Sequence, residues 1–549
     1  MRMLFTLTAA FLVTVSLAAE VYAATPEVRG TWLTTGGPDH IASGNNTATI
    51  MGNLRDIGLN TVYVETWKNG YTNFPSPTLA NITSGPDCSP FLGNRDLVEE
   101  TTFHAHRNEL NYVGWFEYGF SSQFIGNGGN PTNPISTYMK NNGWLLQDVS
   151  GNYGNASNGF AWMNPAVPEV RQFLIDIVLE TVETYDLDGV QFDDRLAWPK
   201  EFGWDATTKN IYQSETGNVL PNNPNFGQLN QFNNWRQEKV KVFAQELYSA
   251  VKAVRPDMHV SVSPSITPFS ATEFMADWPT WVDEGIFDEY TPQVYRSSIG
   301  SYLGTINAQV TPFEPNELDK LVVGLRSVGT GAATPYADLE DMIEDTRTQG
   351  AAGHSIWYSL GVHDLYKDEL TAFYDVATNG QAASPIFGAG HRPAPLAGTF
   401  LGAGVWAFDV PVAGGYQIVG KVTGGDWESI DILLLPDGTN QFFLPGIIEA
   451  EIMVDYRPGL LIRGDLDGDG FVGINDLNII LANWNTSVPD GDLTQGDTND
   501  DGFVGIDDLN LILSRWNTSA PPPAFVVVPE PGGLMIVGLG ALGWAVRRR

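Results

Sequence analysis

The chain has 549 residues, with 64 acidic against 29 basic side chains and a formal net charge of −35. That length carries several domains and a large core, and that charge excludes nucleic acid, whose phosphates are met by basic surface. Cys88 is the sole cysteine, so no intrachain disulfide can form and stability must come from packing and from metal.

Residues 1–23, MRMLFTLTAAFLVTVSLAAEVYA, join an early Arg2 to a short apolar run and small residues ending at Ala23, the pattern of a secretory signal peptide. From 27 to 378, short apolar strands alternate with helical stretches. The strands fall at 28–35, 61–67, 112–119, 189–194, 259–265, 287–295, 321–327 and 353–360. Before the fourth, PEVRQFLIDIVLETVETYDL lines Val170, Phe173, Leu174, Ile177, Val178 and Val182 along one helix face. After it, WRQEKVKVFAQELYSAVKAV reads as a second long helix that ends before Pro256. Eight such units predict an α/β fold, a (β/α)8 barrel of the TIM type over 27–378. A doubly wound open sheet is the alternative, but no glycine-rich phosphate loop follows the first strand.

The fourth strand closes as DGVQFDD (188–194) and places two carboxylates side by side. A barrel gathers its chemistry at the C-terminal ends of its strands. Alternation puts Gln191 and Asp193 on one side of that strand and Phe192 and Asp194 on the other, so the two acids need not share a role. The stretches EVRGTWLTT, GLNTVYVETW, NPAVPEVRQFLIDIVLETVETYDLDGVQFDD and FDEYTPQVYR, with GHSIWYSL beyond them, resemble the glycosyl hydrolase-like 10 barrel family over 27–378. The sequence departs from that pattern in three places. Arg195 stands where an aromatic follows the paired aspartates, WFEYGF replaces an Asn-Pro in the third strand, and Glu65-Thr66-Trp67 occupies the second strand where an arginine is common.

The resemblance implies hydrolysis of a polysaccharide or of a peptidoglycan glycan strand, with no cofactor for catalysis. Such chemistry needs one protonated and one ionised carboxyl group. Asp193 is the first choice for the ionised group, with Asp194 in support. Glu117, in alternation with Val113 and Trp115, is the choice for the acid, because Trp115 and Tyr118 can shield it from water and raise its pKa. Glu65 and Glu289 are further candidates for the acid, and a salt bridge of any of these glutamates with Arg29 or Lys68 is the competing structural reading. Arg29, Trp32, Glu65, Trp67, Gln293, Tyr295 and Trp357 fall on strands or their ends and are expected to contact the glycan. The histidines, His104 and His106 included, show no metal-ligand spacing. A barrel that binds glycan without cleaving it and a surface scaffold protein are the alternatives to an enzyme.

Residues 380–460 are rich in glycine, proline and β-formers and predict a small β-sandwich, with turns at Gly414-Gly415 and Asp437-Gly438. Two twelve-residue loops follow at a 32-residue period, DLDGDGFVGIND (465–476) and DTNDDGFVGIDD (497–508). Oxygen ligands recur at loop positions 1, 3, 5 and 12: Asp465, Asp467, Asp469 and Asp476, then Asp497, Asn499, Asp501 and Asp508. Each loop is expected to wrap one structural calcium ion, with Gly470 or Gly502 at the sharp turn. A helix stripe follows each loop, Leu477, Ile480, Leu481 and Trp484, then Leu509, Ile512, Leu513 and Trp516. The pair resembles a type I dockerin over 463–518, which implies a cohesin-like protein as partner. A proline-rich linker (519–528) leads to VPEPGGLMIVGLGALGWAVRRR, whose Pro-Glu-Pro, apolar run and terminal arginines resemble a PEP-CTERM sorting tail over 529–549. That resemblance implies a Gram-negative-type bacterium, transient membrane contact through the tail, and display on the cell surface or in an exopolysaccharide matrix.

Overall fold

The structure is a computed structural model. It describes residues 25–457 except 94, 389, 412–413 and 436–437, and beyond them residues 466, 472–488, 495–496, 498, 502–514 and 516. The signal segment 1–23, the linker 519–528, the tail 529–549 and the loop positions Asp465, Asp467, Asp469, Asp497, Asn499 and Asp501 lie outside the described residues. The chain divides into two compact units, Met1–Leu460 and Leu461–Arg549.

In the first unit the eight expected strands are present: β1 (Val28–Leu33), β2 (Thr61–Glu65), β3 (Asn111–Phe116), β4 (Gly189–Phe192), β5 (His259–Val262), β6 (Glu289–Tyr290), β7 (Val322–Arg326) and β8 (Gly353–Trp357). They form one parallel sheet in the order β6-β5-β4-β3-β2-β1-β8-β7. Parallel bridges from Tyr290 to Leu321 and from Gln293 to Gly324 link its two edges, so the sheet is a nearly closed barrel. β6 keeps only two ladder residues of the expected 287–295, because Pro292 has no N–H to give to a neighbour.

The strands are buried along almost their whole length, as expected of a parallel sheet covered by helices. The predicted stripe holds in the helix Pro168–Thr184, where Val170, Phe173, Leu174, Ile177, Val178 and Val182 are all buried. Proline at its first turn fits a position whose N–H has no helical partner. The long helix Phe226–Val254 starts at a capping box formed by Asn225 and Gln228.

Residues 396–454 form two antiparallel sheets, one of four strands and one of three, around Trp406, Phe408, Tyr416, Ile418, Leu433 and Ile452. Two sheets thus stand where a small sandwich is expected, although Gly414 and Gly415 already pair in a strand, with Leu435 and Leu434. They pack on the barrel through Arg107, which pairs with Glu451 at 3.1 Å and lies over the Trp427 ring. The segment between barrel and sandwich supplies Arg392, whose guanidinium reaches Asp186 at 2.7 Å and Asp188 at 2.6 Å, just before β4. His106 bridges the same two carboxylates at 3.3 and 3.1 Å, and Tyr456 N–H donates to Asp186.

In the second unit the 32-residue repeat reappears in hydrogen bonds. Asp476 accepts from Leu466 N–H and Gly473 N–H; Asp508 accepts from Thr498 N–H and Gly505 N–H. The helices Ile474–Ala482 and Ile506–Ser514 follow. Ile480 and Ile512 are buried, while Leu481, Trp484, Leu513 and Trp516 are exposed, so only part of each predicted stripe faces inward. Among the described residues no helix is long and apolar enough to cross a membrane.

Candidate active site

Parity decides which side chains reach the barrel mouth. Tyr63 and Glu65 on β2, Trp115 on β3 with Glu117 just beyond it, and Gln191 on β4 with Asp193 beyond it point toward the axis. The lower layer is packed and polar. Trp32 Nε1 donates to Gln191 Oε1 at 2.9 Å, and Gln191 Nε2 donates to Ser261 Oγ. Glu289 accepts from Tyr63, Ser261 and Thr291 at 3.0, 2.7 and 2.9 Å and is 1 % exposed. Burial works to raise Glu289, but the bonds from His259, Ser261 and Thr291 prevail and hold it below its ordinary value. It is a satisfied interior carboxylate, which removes it as the acid.

Above that layer four carboxyl groups meet two cations. Glu65, fully buried, accepts from Thr34 Oγ1 at 2.7 Å, from Thr35 N–H at 2.8 Å and from Lys68 Nζ. Lys68 also lies 3.2 Å from Glu117. Arg195 Nη1 lies 3.5 Å from Glu117, 3.5 Å from Asp193 and 3.7 Å from Asp194. Its guanidinium rests over the rings of Tyr118 and Phe160. Asp193 accepts from Asp194 N–H at 2.7 Å and from the Gln293 amide.

These contacts set the protonation. Burial and then the Glu65 charge push Glu117 up to about 8, against the pull of Arg195 and Lys68. Burial and then the Asp194 charge push Asp193 well above the usual carboxylate range. Burial also works to raise Glu65, but its bonds with Glu117 and Lys68 overcome it and hold it low. The mouth therefore contains a group that keeps its proton at neutral pH beside groups held by fixed donors, which is the requirement of acid-assisted bond cleavage.

The aromatic wall is made by Trp357, tilted against Tyr295 at 5.8 Å and edge-to-face with Trp115 at the same ring distance. Tyr295 and Trp357 are both partly exposed at the mouth. Beside Lys68 and Tyr118 opens a groove of about 480 Å³, with Thr34, Phe91, Arg95 and Phe124 in its lining.

Residues 27–334 match the family profile Glycosyl hydrolase-like 10. The chain belongs to the glycosyl hydrolase-like 10 family. It is 23 % identical over 278 residues to the glycosyl hydrolase DigH of Escherichia coli (strain K12), a match covering 45 % of this chain and 56 % of the relative. It is 22 % identical over 276 residues to the glycosyl hydrolase YngK of Bacillus subtilis (strain 168), covering 45 % and 48 %. The chain thus spans about half the length of the curated relatives it matches. The glycoside hydrolase domain of PgaB (BpsB) from Bordetella bronchiseptica superposes with a TM-score of 0.48 at 14 % identity, over 65 % of this chain and 99 % of that one. Residues 527–549 match the PEP-CTERM protein-sorting motif, a mark of export.

Within this glycosyl hydrolase-like 10 barrel, Asp193, Asp194, Glu117, Gln293, Tyr295 and Trp357 stand together at the mouth. Three expected glycan contacts do not. Arg29 lies at the N-terminal end of β1, paired with Glu27 at 2.6 Å and set over Tyr374, because membership of a strand does not tell which end a residue occupies. Trp32 is buried in the lower layer, and Trp67 is buried against Phe173 with its Nε1 donating to Gly119. Glu65 is at the mouth but fully buried, and it orients Lys68 rather than facing a ligand. The salt bridge weighed for it with Lys68 is therefore present. Arg195, seen in the sequence only as a departure from the family pattern, proves to be the cation that joins three carboxyl groups.

Proposed function

We propose that this chain is an exported glycoside hydrolase that cleaves a polysaccharide or a peptidoglycan glycan strand. Glu117 is the proton donor and Asp193 acts at the anomeric carbon. Glu117 carries this reading: buried, beside Glu65 and raised to about 8, it holds a proton where a leaving group needs one. Asp193 supports it as an inward carboxyl group at a strand end, fixed by the Gln293 amide, Asp194 N–H and Arg195; burial and the Asp194 charge favour its protonated form, and Arg195 is the contact that favours the ionised form the attack needs. Since Glu117 and Asp193 each lie 3.5 Å from one Arg195 nitrogen, those two oxygens are at most about 7 Å apart. The two groups therefore face one another within the roughly 10 Å that two-carboxyl hydrolysis spans. Tyr295 and Trp357 offer a ring face to the sugar at the centre, and the groove past Lys68 takes its neighbours.

The remaining modules serve placement. The sorting tail supports display at the surface or in an exopolysaccharide matrix. The paired loops support two structural calcium ions, and the exposed Leu481, Trp484, Leu513 and Trp516 support a cohesin-like partner. Digestion of a glycan panel by the wild type beside Asp193→Asn tests the enzyme. The wild type is expected to release new reducing ends and the variant to lose roughly a thousandfold in rate. Glycan binding by the wild type with no cleavage of any member would replace hydrolysis by the binding reading.

A further inference from the structure

The barrel rim carries a cluster of side chains that hydrolysis leaves unused. β1 and β8 pair in parallel, so the segments that leave their C-terminal ends are neighbours. This brings together His40 and Asp364, 324 residues apart in sequence, with His363 beside them. His40 Nε2 lies 3.0 Å from Asp364 Oδ1, and His363 Nδ1 lies 2.5 Å from the same oxygen. The three donor atoms are all within 4.8 Å of one another.

His40 Nδ1 meets Ser359 Oγ at 2.9 Å, which fixes the ring with Nε2 toward the cluster, the outer contact typical of a metal-bound imidazole. Two imidazoles converge on one carboxylate oxygen, and the Asp364 side, 40 % exposed, leaves room for water as a further ligand.

We propose that His40, His363 and Asp364 form a binding site for a zinc-class divalent transition metal that ties the segment after β1 to the segment after β8. Two nitrogen ligands and one oxygen suit such an ion better than calcium or magnesium, which take oxygen alone. The tied segment matters to the active site. Thr34 and Thr35 hold Glu65, and Gly36, Pro38 and Asp39 line the groove beside Lys68. The metal therefore stiffens one wall of the glycan groove.

The test uses the full chain, stripped with chelator, returned to excess calcium so that the acidic loops are filled, and titrated with zinc chloride. The wild type is expected to take one zinc per chain in this site. His363→Ala and His40→Gln, each with an unchanged circular dichroism spectrum, are expected to bind it at least about tenfold more weakly. Zinc should slow amide hydrogen exchange across 34–43 in the wild type only. Absence of zinc uptake by the wild type overturns the proposal, and so does equal uptake and equal exchange in both variants.

Discussion

Glu117→Gln is the sharpest perturbation of the site, because it keeps the shape of the side chain and removes only the transferable proton. With Glu117 raised to about 8, roughly nine molecules in ten carry that proton at pH 7. Activity is therefore expected to fall as pH rises through about 8. General acid assistance is worth about a hundred- to ten-thousandfold, so the variant should lose about 3–5 kcal/mol of transition-state stabilisation on a natural glycan. An aryl glycoside with a strongly activated leaving group needs no protonation and should lose far less. The assay is kcat/KM against pH on both substrate types, for wild type, Glu117→Gln and Glu65→Gln. Glu65 is the charge that raises Glu117 after burial, so Glu65→Gln should move the alkaline limb to lower pH. Wild-type turnover of the natural glycan by Glu117→Gln, or an alkaline limb that survives in it, would refute the assignment.

Asp194→Asn removes the charge that, after burial, raises Asp193, so the acid limb of the same profile should shift to lower pH with a smaller rate loss than Asp193→Asn shows; complete loss of turnover in a folded Asp194→Asn would swap the two roles. Chelation should lower the helical circular dichroism of a fragment spanning 460–520, because loop carboxylates repel without their ion, and an unchanged spectrum would sink the calcium reading. Arg392→Met leaves Asp186 and Asp188 buried without their guanidinium and should cost about 3–5 kcal/mol in urea unfolding. Burial works to raise both of these carboxyls, but Arg392 and His106 hold them below the usual range. Their contribution is thus full above the ordinary carboxylate pKa and fades as pH falls below it, and Arg392→Met should flatten that acid slope.

The strand ends and their parity could be read in advance because period two and the DGVQFDD motif act within a few residues. That is why Asp193 and Glu117 are expected at strand ends from sequence, where the structure sets them beside Gln293, Tyr295 and Trp357. Depth along the barrel axis is a different matter. Trp32 and Trp357 share a pattern of neighbours, yet one seals the lower layer while the other is partly exposed above it. Arg29 was misplaced for the same reason, since it sits at the opposite end of its strand. Lys68 stands near Glu65 in sequence as one possible ion-pair partner, but its second contact with Glu117 depends on strand order. The His363-Asp364 pair carries no ligand spacing by itself, because His40 reaches it only through closure of the first strand on the last.

The Arg392 contact also bears on where this protein can be divided. The strand and helix pattern ends near 378, and the family match ends at 334, so either point invites a truncation. Yet Asp186 and Asp188 immediately precede the strand that ends in Asp193, and their guanidinium and the Tyr456 N–H come from beyond both cuts. A barrel cut near 378 would keep every mouth residue and lose the counter-charge beneath the strand that presents the aspartate pair, while a cut at 334 would also remove β8 and Trp357. The barrel and the two sheets beyond it therefore share one buried ion cluster, and a fragment that holds the fourth strand in place has to carry both.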